Sequence, residues 1–166
     1  VRHAAALQTN LLELSGSPRG IVANLPYNIA TPLLMGWLAQ ISADHQAYDF
    51  MVLMFQKEVA QRITASPDTK AYGRLSVMAQ WLCHVERAYD LPPAAFTPAP
   101  KVHSSVVLFR PKKRASDDPA FKDMERLAAQ AFQQRRKMIR ASLKSYMPAI
   151  EACGLEPSLR AENLSV

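Results

Sequence analysis

The chain has 166 residues, of which 49% are hydrophobic and 20% charged, and its formal net charge is +6. This length and apolar content suit one ordinary domain or two small ones and exclude a disordered chain, and no apolar run approaches the roughly 20 residues of a membrane-spanning helix. The first residues lack the layout of a signal peptide, and two cysteines 70 positions apart indicate reduced thiols in a cytosolic protein without a metal site.

The first predicted elements are a strand and a helix. Ile21–Ala23 is an apolar run typical of a buried strand, which must end where Pro26 interrupts pairing. Thr31 is predicted to cap a helix with Pro32 at its first position. Apolar residues then recur at helical spacing up to Ile41, which predicts an amphipathic helix of about three turns.

The next predicted elements continue this alternation. Residues 49–55 form a second apolar strand, and a short helix follows until Ser66. Another apolar stripe begins after Gly73 and predicts a helix to Leu82. Strand, helix and strand at this spacing indicate a parallel sheet with helices on its faces.

The later part of the chain begins with two β-like stretches, at 84–91 and 102–109, on either side of a proline-rich loop. A linker follows, and the rest predicts helix from residue 121 to about 147, interrupted or kinked near Gln134. We therefore predict an α/β unit at 1–111 and a small helical unit at 112–166. Because a doubly wound sheet needs several strand–helix units, we expect further strands before the first residue. We also expect the last residues to belong to a longer helical region.

The tetrapeptide Asn24-Leu25-Pro26-Tyr27 lies just after the first strand, at the edge where open α/β sheets bind ligands. It suits methyl transfer to the exocyclic amine of a base, because the Asn24 side-chain oxygen and the Pro26 carbonyl can each accept one N–H of that amine. Tyr27 offers a flat face for an unstacked base. The alternative interpretation is an ordinary strand-ending turn, in which these residue types are common.

Five longer segments, which include this tetrapeptide, resemble one family in residues and in order. They are Ile21–Leu34, Phe55–Arg62, Ala71–Gln80, Phe96–Val107 and Ala131–Leu143. The family is that of the small-subunit ribosomal RNA adenine N6-dimethyltransferases, the KsgA-like enzymes. The resemblance implies the C-terminal portion of a Rossmann-like, S-adenosylmethionine-dependent α/β methyltransferase domain, followed by a small all-helical RNA-binding domain. It also implies dimethylation of two adjacent adenines in a hairpin loop of small-subunit rRNA.

The resemblance also assigns residues. Asn24, Pro26 and Tyr27 match the motif that holds the target adenine, and Phe96 matches the aromatic residue that covers the other face of the flipped base. These four residues are the implied catalytic set, and Asn24 and Leu25 are implied to contact S-adenosylmethionine. From the residues alone, an aromatic side chain in a proline-stiffened loop is either a stacking platform or ordinary core packing.

Two parts of the family pattern differ in this sequence. The glycine-rich cofactor loop and the acidic residue for the cofactor ribose are expected before Val1, and the chain contains no Gly-x-Gly. The family's Asp-Ala-Leu segment is replaced by His3–Leu7, with Ala5 where the Asp is expected. We therefore expect this chain to carry the acceptor-binding half and the helical unit.

Basic residues are concentrated in one region. Residues 1–100 are balanced, whereas residues 101–144 contain twelve Lys and Arg against four Asp and Glu. Such an excess indicates a nucleic-acid partner or a solvated basic face. Four side chains are spaced as one helix stripe, namely Gln133, Lys137, Arg140 and Lys144. The predicted RNA-binding residues are Lys112, Lys113, Arg114, Arg135, Arg136, Lys137, Arg140 and Lys144.

Together these observations predict an S-adenosylmethionine-dependent rRNA adenine N6-dimethyltransferase that acts as a cytoplasmic monomer on immature, 30S-type small subunits. Two alternatives remain open. One is a non-catalytic RNA-binding or ribosome-assembly factor with the same fold, which Ala5 and the missing glycine loop favour. The other is a related adenine methyltransferase for large-subunit rRNA or DNA. The sequence predicts neither a metal nor a membrane partner.

Overall fold

A four-stranded mixed sheet forms the centre of the molecule, in a computed structural model that describes residues 5–14, 16–113 and 118–166. The strand order is β1-β2-β4-β3, with β1 parallel to β2 and both other pairs antiparallel. The predicted parallel pair is therefore present, and the two later strands join it as a hairpin. The strands are β1 (Gly20–Asn24), β2 (Phe50–Gln56), β3 (Cys83–Leu91) and β4 (Ser104–Pro111).

Among the described residues, six α-helices accompany the sheet, and α3 contacts both α1 and α2. Short 3₁₀ turns occur at 6–8, 11–13, 93–95, 144–146 and 161–163. No helix in the described ranges is long and apolar enough to cross a membrane. The helices are α1 (Tyr27–Ala43), α2 (Lys57–Ile63), α3 (Arg74–Leu82), α4 (Phe121–Gln133), α5 (Ile139–Ser142) and α6 (Met147–Ala152).

Helix α1 begins earlier than the sequence predicted. Pro26, not Thr31, occupies the N-cap position, and Pro32 lies inside the helix rather than at its first position. The helix follows the strand without a loop, because the fixed φ of Pro26 turns the chain directly into the first helical residue, Tyr27. A buried stripe compensates for the internal proline by packing on the sheet; it comprises Ala30, Leu33, Leu34, Trp37, Leu38 and Ile41.

The two faces of the sheet are buried to different extents. The row that includes Ile21, Met51 and Phe109 packs against the helices and is buried. On the opposite face, Val22 is 75% exposed and Phe50 is 39% exposed. Strand β1 also pairs only with β2, so within the described residues one edge of the sheet is unpaired, and the side chains of Val22 and Phe50 next to it are exposed.

Helix α4 joins this core to a second, smaller hydrophobic cluster. Its residues Phe121, Met124 and Ala128 pack on the first core, and Phe121 stacks on Trp81 with ring centroids 6.5 Å apart. Its later turns contribute to the second cluster, whose buried members are Ala131, Ile139, Leu143, Ile150 and Ala161. Since one helix serves both clusters, packing is continuous from the sheet into the helical region. The predicted division of the chain at residue 112 stays a prediction.

The prediction that Gln133, Lys137, Arg140 and Lys144 form one stripe of a helix is wrong. Helix α4 ends at Gln133, and α5 begins only at Ile139, so the interruption or kink predicted near Gln134 is a full break that divides these residues. Gln134 leaves the helical region of backbone angles, with φ −125° and ψ 74°. Arg135 then reaches away from the helix, and its guanidinium donates hydrogen bonds to two main-chain carbonyls of the segment between α2 and α3.

Candidate nucleic-acid and adenine site

The candidate site begins where β1 ends. Asn24 is the last residue of β1 and is exposed, whereas the side chain of Leu25 is only 6% exposed and anchors the turn in the core. Pro26 is exposed at the N-cap of α1, and Tyr27 is the first residue of the helix. Because Leu25 is buried, only its main chain remains for a ligand contact such as the predicted one with the cofactor.

A small cavity brings the predicted catalytic residues together. Its volume is about 170 Å³, below the roughly 300–1,000 Å³ of pockets for drug-sized ligands, so it suits a single planar ring. Asn24, Pro26, Tyr27 and Phe96 all contribute to it, although 69 residues separate Tyr27 from Phe96 in sequence. The complete lining is Asn24, Leu25, Pro26, Tyr27, Met54, Phe96, Pro98 and Pro100.

Two hydrogen-bond acceptors are available at this cavity. The side-chain amide of Asn24 has no hydrogen-bond partner among the described residues, and its oxygen is therefore free to accept. The carbonyl of Pro26 accepts one hydrogen bond, from the main-chain N–H of Ile29 at 3.1 Å. A carbonyl oxygen has two lone pairs, so Pro26 retains the capacity to accept a second N–H.

The two aromatic residues are held differently. Phe96 is partly buried and follows a 3₁₀ turn at Pro93–Ala95, where its N–H donates to the carbonyl of Pro93 at 3.2 Å. Tyr27 is held through its hydroxyl, which shares a hydrogen bond of 2.8 Å with the hydroxyl of Ser104. Ser104 is completely buried at the start of β4. Sequence reasoning missed Ser104, because a serine in a strand carries no sign of a partner 77 residues away.

A second polar network begins at Ser105, the residue after Ser104. The hydroxyl of Ser105 donates to one carboxylate oxygen of Asp90 at 2.6 Å, and the ammonium of Lys57 lies 2.8 Å from the other. The hydrogen bonds from Lys57 and Ser105, with a smaller contribution from the charge of Arg87, lower the pKa of Asp90. Asp90 is therefore a carboxylate that fastens the start of α2 to the β3–β4 hairpin.

The predicted RNA-binding residues fall into three groups. The ammonium of Lys112 donates to the carbonyl of Gln80 at 2.6 Å, and the guanidinium of Arg135 donates to the carbonyls of Lys70 and Tyr72 at 2.8 and 2.9 Å, so both cations are used within the fold. Arg114 lies outside the described residues. The remaining side chains are exposed and have no partner in the described part of the chain; they are Lys113, Arg136, Lys137, Arg140 and Lys144.

A larger cavity of about 800 Å³ lies between α1, α2, the start of α3 and the end of α4. Thr31 and Pro32, which lie on the same helix as Tyr27, contribute to its lining. Its cations come from three separate segments, namely Arg62, Lys70, Arg74 and Arg135. Arg62 pairs with Glu58, and Arg74 pairs with Glu125 at 2.6 Å. Sequence reasoning did not bring these four cations together, because they come from three segments that are distant along the chain.

Comparison with known sequences identifies one family. The profile of the family described as ribosomal RNA adenine dimethylase matches residues 3–160. A ribosomal RNA small subunit methyltransferase A from Rhodospirillum rubrum is 50% identical over 164 residues, which are 97% of this chain and 56% of that protein. The protein of the same name from Rhodopseudomonas palustris (strain BisB5) is 52% identical over 92% of this chain and 54% of its own length. The chain thus spans about half the length of the curated relatives it matches.

Comparison with solved structures identifies the fold. A dimethyladenosine transferase from Plasmodium falciparum superposes with a TM-score of 0.83 at 23% identity, over 99% of this chain and 67% of that one. The 23S rRNA methyltransferase ErmE superposes with a TM-score of 0.63 at 20% identity, over 94% of this chain and 65% of that one. These likenesses confirm the predicted fold class, a Rossmann-like methyltransferase α/β fold with accompanying helices.

Proposed function

Because the chain belongs to the ribosomal RNA adenine dimethylase family, we propose that it provides the adenine-holding part of an enzyme that dimethylates N6 of two adjacent adenines in small-subunit rRNA. The names of its relatives support the substrate. One observation carries the proposal: the amide of Asn24, the carbonyl of Pro26 and the rings of Tyr27 and Phe96 line one ring-sized cavity. An ordinary strand-ending turn does not require an aromatic residue from a second loop at the same opening.

The proposed role of the two acceptors follows from the electronic structure of adenine. The lone pair of the exocyclic nitrogen is delocalised into the ring, so the free amine is a weak nucleophile. Acceptance of its two N–H groups by the Asn24 oxygen and the Pro26 carbonyl favours a pyramidal nitrogen with a directed lone pair. Interactions of this kind strengthen as the nitrogen leaves conjugation, and they therefore stabilise the transition state more than the ground state.

The proposed role of the aromatic residues is to hold an unstacked base. A base that leaves an RNA loop loses its stacking neighbours, and an aromatic side chain can replace one of them. Tyr27 at the start of α1 and Phe96 in the loop after β3 line the same cavity, so the base is expected to lie between them. The prolines at 98 and 100 limit the freedom of the Phe96 loop and lower the entropy lost on binding.

The residues at the end of β1 also suit the proposed cofactor. Asn24 and the main chain of Leu25 would hold S-adenosylmethionine, since the Asn24 amide is exposed and both its donor and its acceptor are free within the described residues. When bound, this cofactor supplies an electrophilic methyl group. The chain's own contribution is to present the adenine nitrogen at the sheet edge with its lone pair exposed.

The proposed RNA surface is the exposed basic set of the helical region together with the larger cavity between α1, α2, α3 and α4. Lys137, Arg140 and Lys144 are free to neutralise phosphates, and Lys70 carries a further free cation at the cavity. Binding through such contacts releases counterions and is therefore sensitive to salt. The proposed partner is an immature 30S-type subunit in the cytoplasm, bound by a monomer, with residues 112–166 as the helical RNA-binding unit.

A second candidate function is that of an RNA-binding assembly factor without catalysis. The observation that favours it is Ala5, which stands at the position of the family's cofactor-binding Asp. Ala5 is exposed, and its carbonyl accepts hydrogen bonds from the N–H of Gln8 at 2.9 Å and the hydroxyl of Thr9 at 2.9 Å. Alanine offers no carboxylate to the adenine of a cofactor, so this chain has one anchoring group fewer than its family pattern.

Transfer of labelled methyl groups to immature small subunits tests the proposal, with the complete product of the gene as the enzyme. We expect labelled dimethyladenine, and we expect Asn24→Ala to abolish it while RNA affinity stays within about twofold. The control is Asn28→Ala, which removes the same amide from an exposed position outside the cavity lining. RNA binding without any methyl transfer would select the assembly factor, and equal turnover by the Asn24 variant would refute the role of this residue.

A further inference from the structure

We propose that Ser104 is a positioning residue for Tyr27, whose ring it holds in the orientation that receives the target base. This inference rests on the proposed function, because it takes Tyr27 as the stacking surface. The hydroxyls of the two residues share a hydrogen bond of 2.8 Å. The Tyr27 ring is therefore held at both ends, by the main chain at the first residue of α1 and by its own hydroxyl.

Ser104 is suited to this role because it cannot move easily. Strand β4 lies between β2 and β3, and Ser104 is paired with Gln56 on one side and with Leu91 on the other. It is also completely buried. A residue fixed on both sides within a sheet is a stationary anchor, whereas the start of a helix beside an open cavity is more mobile.

The contact also selects among the rotamers of Tyr27. A rotation about χ1 or χ2 that removes the ring from its present orientation would leave the buried hydroxyl of Ser104 without a partner, which is unfavourable. The net value of one such hydrogen bond corresponds to about a fivefold preference for the bonded orientation. A ring that is already oriented loses less entropy when a base stacks on it, so part of the base affinity depends on Ser104.

The neighbouring Ser105 offers a matched control. It is equally buried, in the same strand, but its hydroxyl donates to Asp90 at 2.6 Å instead of to a residue of the cavity. Successive strand residues point to opposite faces of a sheet, so replacement of Ser105 leaves the Tyr27 contact intact. A general loss of stability in β4 would therefore affect both serine variants, whereas the proposed role affects only one.

The test compares the affinity of the chain for two RNA hairpins, one with two adjacent adenines in its loop and one with an abasic site at the first of them. The ratio of the two dissociation constants measures the contribution of the base alone, and we expect about tenfold or more for the unmodified chain. Ser104→Ala and Tyr27→Phe are each expected to lower this ratio about fivefold, with the abasic affinity unchanged. Ser105→Ala is expected to leave the ratio unchanged.

Three results would overturn the inference. If Ser104→Ala keeps the ratio of the unmodified chain, Ser104 does not position Tyr27, and the proposed function is unaffected. If the double variant Ser104→Ala, Tyr27→Phe lowers the ratio clearly further than either single variant does, the residues act separately. If the unmodified chain itself gives a ratio of one, the cavity holds no base and the proposed function fails as well. If Ser104→Ala does not fold, the Tyr27→Phe variant alone tests the inference. A ratio for Tyr27→Phe equal to that of the unmodified chain then refutes the role of the Tyr27–Ser104 hydrogen bond.

Discussion

The hydroxyl of Tyr72 donates a hydrogen bond of 2.9 Å to the main-chain carbonyl of Leu164, 92 residues further along the chain. Tyr72 is completely buried, and its ring meets that of Phe132 edge to face at 5.9 Å. The main-chain N–H of Asp68 donates to the carbonyl of Glu162 at 2.8 Å beside it. The segment between α2 and α3 is thus fastened to the last residues of the chain.

Replacement of Tyr72 by phenylalanine is therefore expected to destabilise the fold by about 1–2 kcal/mol, because the carbonyl of Leu164 loses a buried donor while the ring packing remains. The midpoint of urea unfolding measures this loss. Tyr89→Phe is the control, since Tyr89 is 65% exposed and its hydroxyl has no partner within the described residues. Equal midpoints for the two variants would show that the contact with Leu164 contributes nothing.

The stability of the fold is expected to fall in alkaline solution because of Cys83. Burial raises the pKa of the Cys83 thiol to about 12, against an ordinary value near 9 and in spite of the nearby charge of Lys112. Above pH 9 the unfolded chain loses this proton while the folded chain keeps it, so the free energy of unfolding decreases as pH rises through this range. The decrease from this group between pH 8 and pH 10 is about 1 kcal/mol.

Urea unfolding of the unmodified chain and of Cys83→Ala at pH 8 and pH 10 measures how much Cys83 contributes to this decrease in the free energy of unfolding. The variant should lose less stability on the change from pH 8 to pH 10, whereas Cys153→Ala should behave as the unmodified chain does. Burial also raises the pKa values of Tyr48 and Tyr72, which add a loss of the same sign above pH 10 in all three proteins. If Cys83→Ala loses as much stability between pH 8 and pH 10 as the unmodified chain does, Cys83 is not the source of the loss.

The two thiols are expected to react at very different rates. Cys153 is exposed, whereas Cys83 is buried and its pKa is raised to about 12. The raised pKa keeps Cys83 in the unreactive thiol form at pH 8, and burial withholds its sulfur from the reagent, so Cys83 should react far more slowly than Cys153. Iodoacetamide followed by mass spectrometry should therefore find one modified cysteine in the folded chain and two in urea. Rapid modification of both in the folded chain would contradict the burial of Cys83.

RNA affinity is expected to depend on salt through the exposed cations of the helical region. Lys137→Ala and Arg140→Ala should each lower the slope of log affinity against log salt by about 0.7–0.9, if each residue neutralises one phosphate. Lys122→Ala should leave the slope unchanged, since Lys122 is an exposed cation on α4 outside the predicted set. A slope that none of the variants alters would place the RNA elsewhere.

Arg135 and Lys112 are expected to behave differently from that exposed set. Their charged groups donate to main-chain carbonyls of the fold. Alanine at either position should therefore lower the unfolding midpoint and leave the salt dependence of RNA affinity nearly unchanged. Loss of the two carbonyl contacts of Arg135 is expected to cost about 1–2 kcal/mol. Unfolding midpoints measured beside the RNA titrations separate the two effects. If Arg135→Ala instead lowers the salt slope by about 0.7–0.9 and leaves the unfolding midpoint unchanged, Arg135 contacts the RNA and does not stabilise the fold.

Most regular elements of the sheet region could be predicted because apolar periodicity determines which residues are buried. Strands β1 and β2 and helix α3 begin and end within about two residues of their predicted bounds. The start of α1 could not be predicted, since Pro26 as an N-cap and Thr31 as an N-cap are both acceptable locally. The break after Gln133 was placed correctly, but its consequence for the basic stripe depends on Arg135, which turns toward carbonyls more than 60 residues away.

The residues of the candidate site could be predicted from the sequence only in part. The motif at Asn24–Tyr27 and the loop at Phe96 stand out in the sequence, because Asn, Pro and aromatic residues carry recognisable chemistry. Their meeting at one cavity is a tertiary property that only the structure reveals. Ser104 lies in the resembling segment Phe96–Val107, but its residue type indicates no role, since that role depends on a partner on a different element. Sequence patterns thus identify residues with chemistry of their own and overlook those that act through a neighbour.

The uncovered side of the sheet has a practical consequence. Main-chain groups along the free edge of β1 and the exposed side chains of Val22 and Phe50 offer both hydrogen bonds and apolar area to another strand. Concentrated preparations of this chain are therefore expected to self-associate through β1. A Val22→Lys change places a charge on that side, in mid-strand and outside the cavity lining, and so extends the concentration range in which the chain stays in solution.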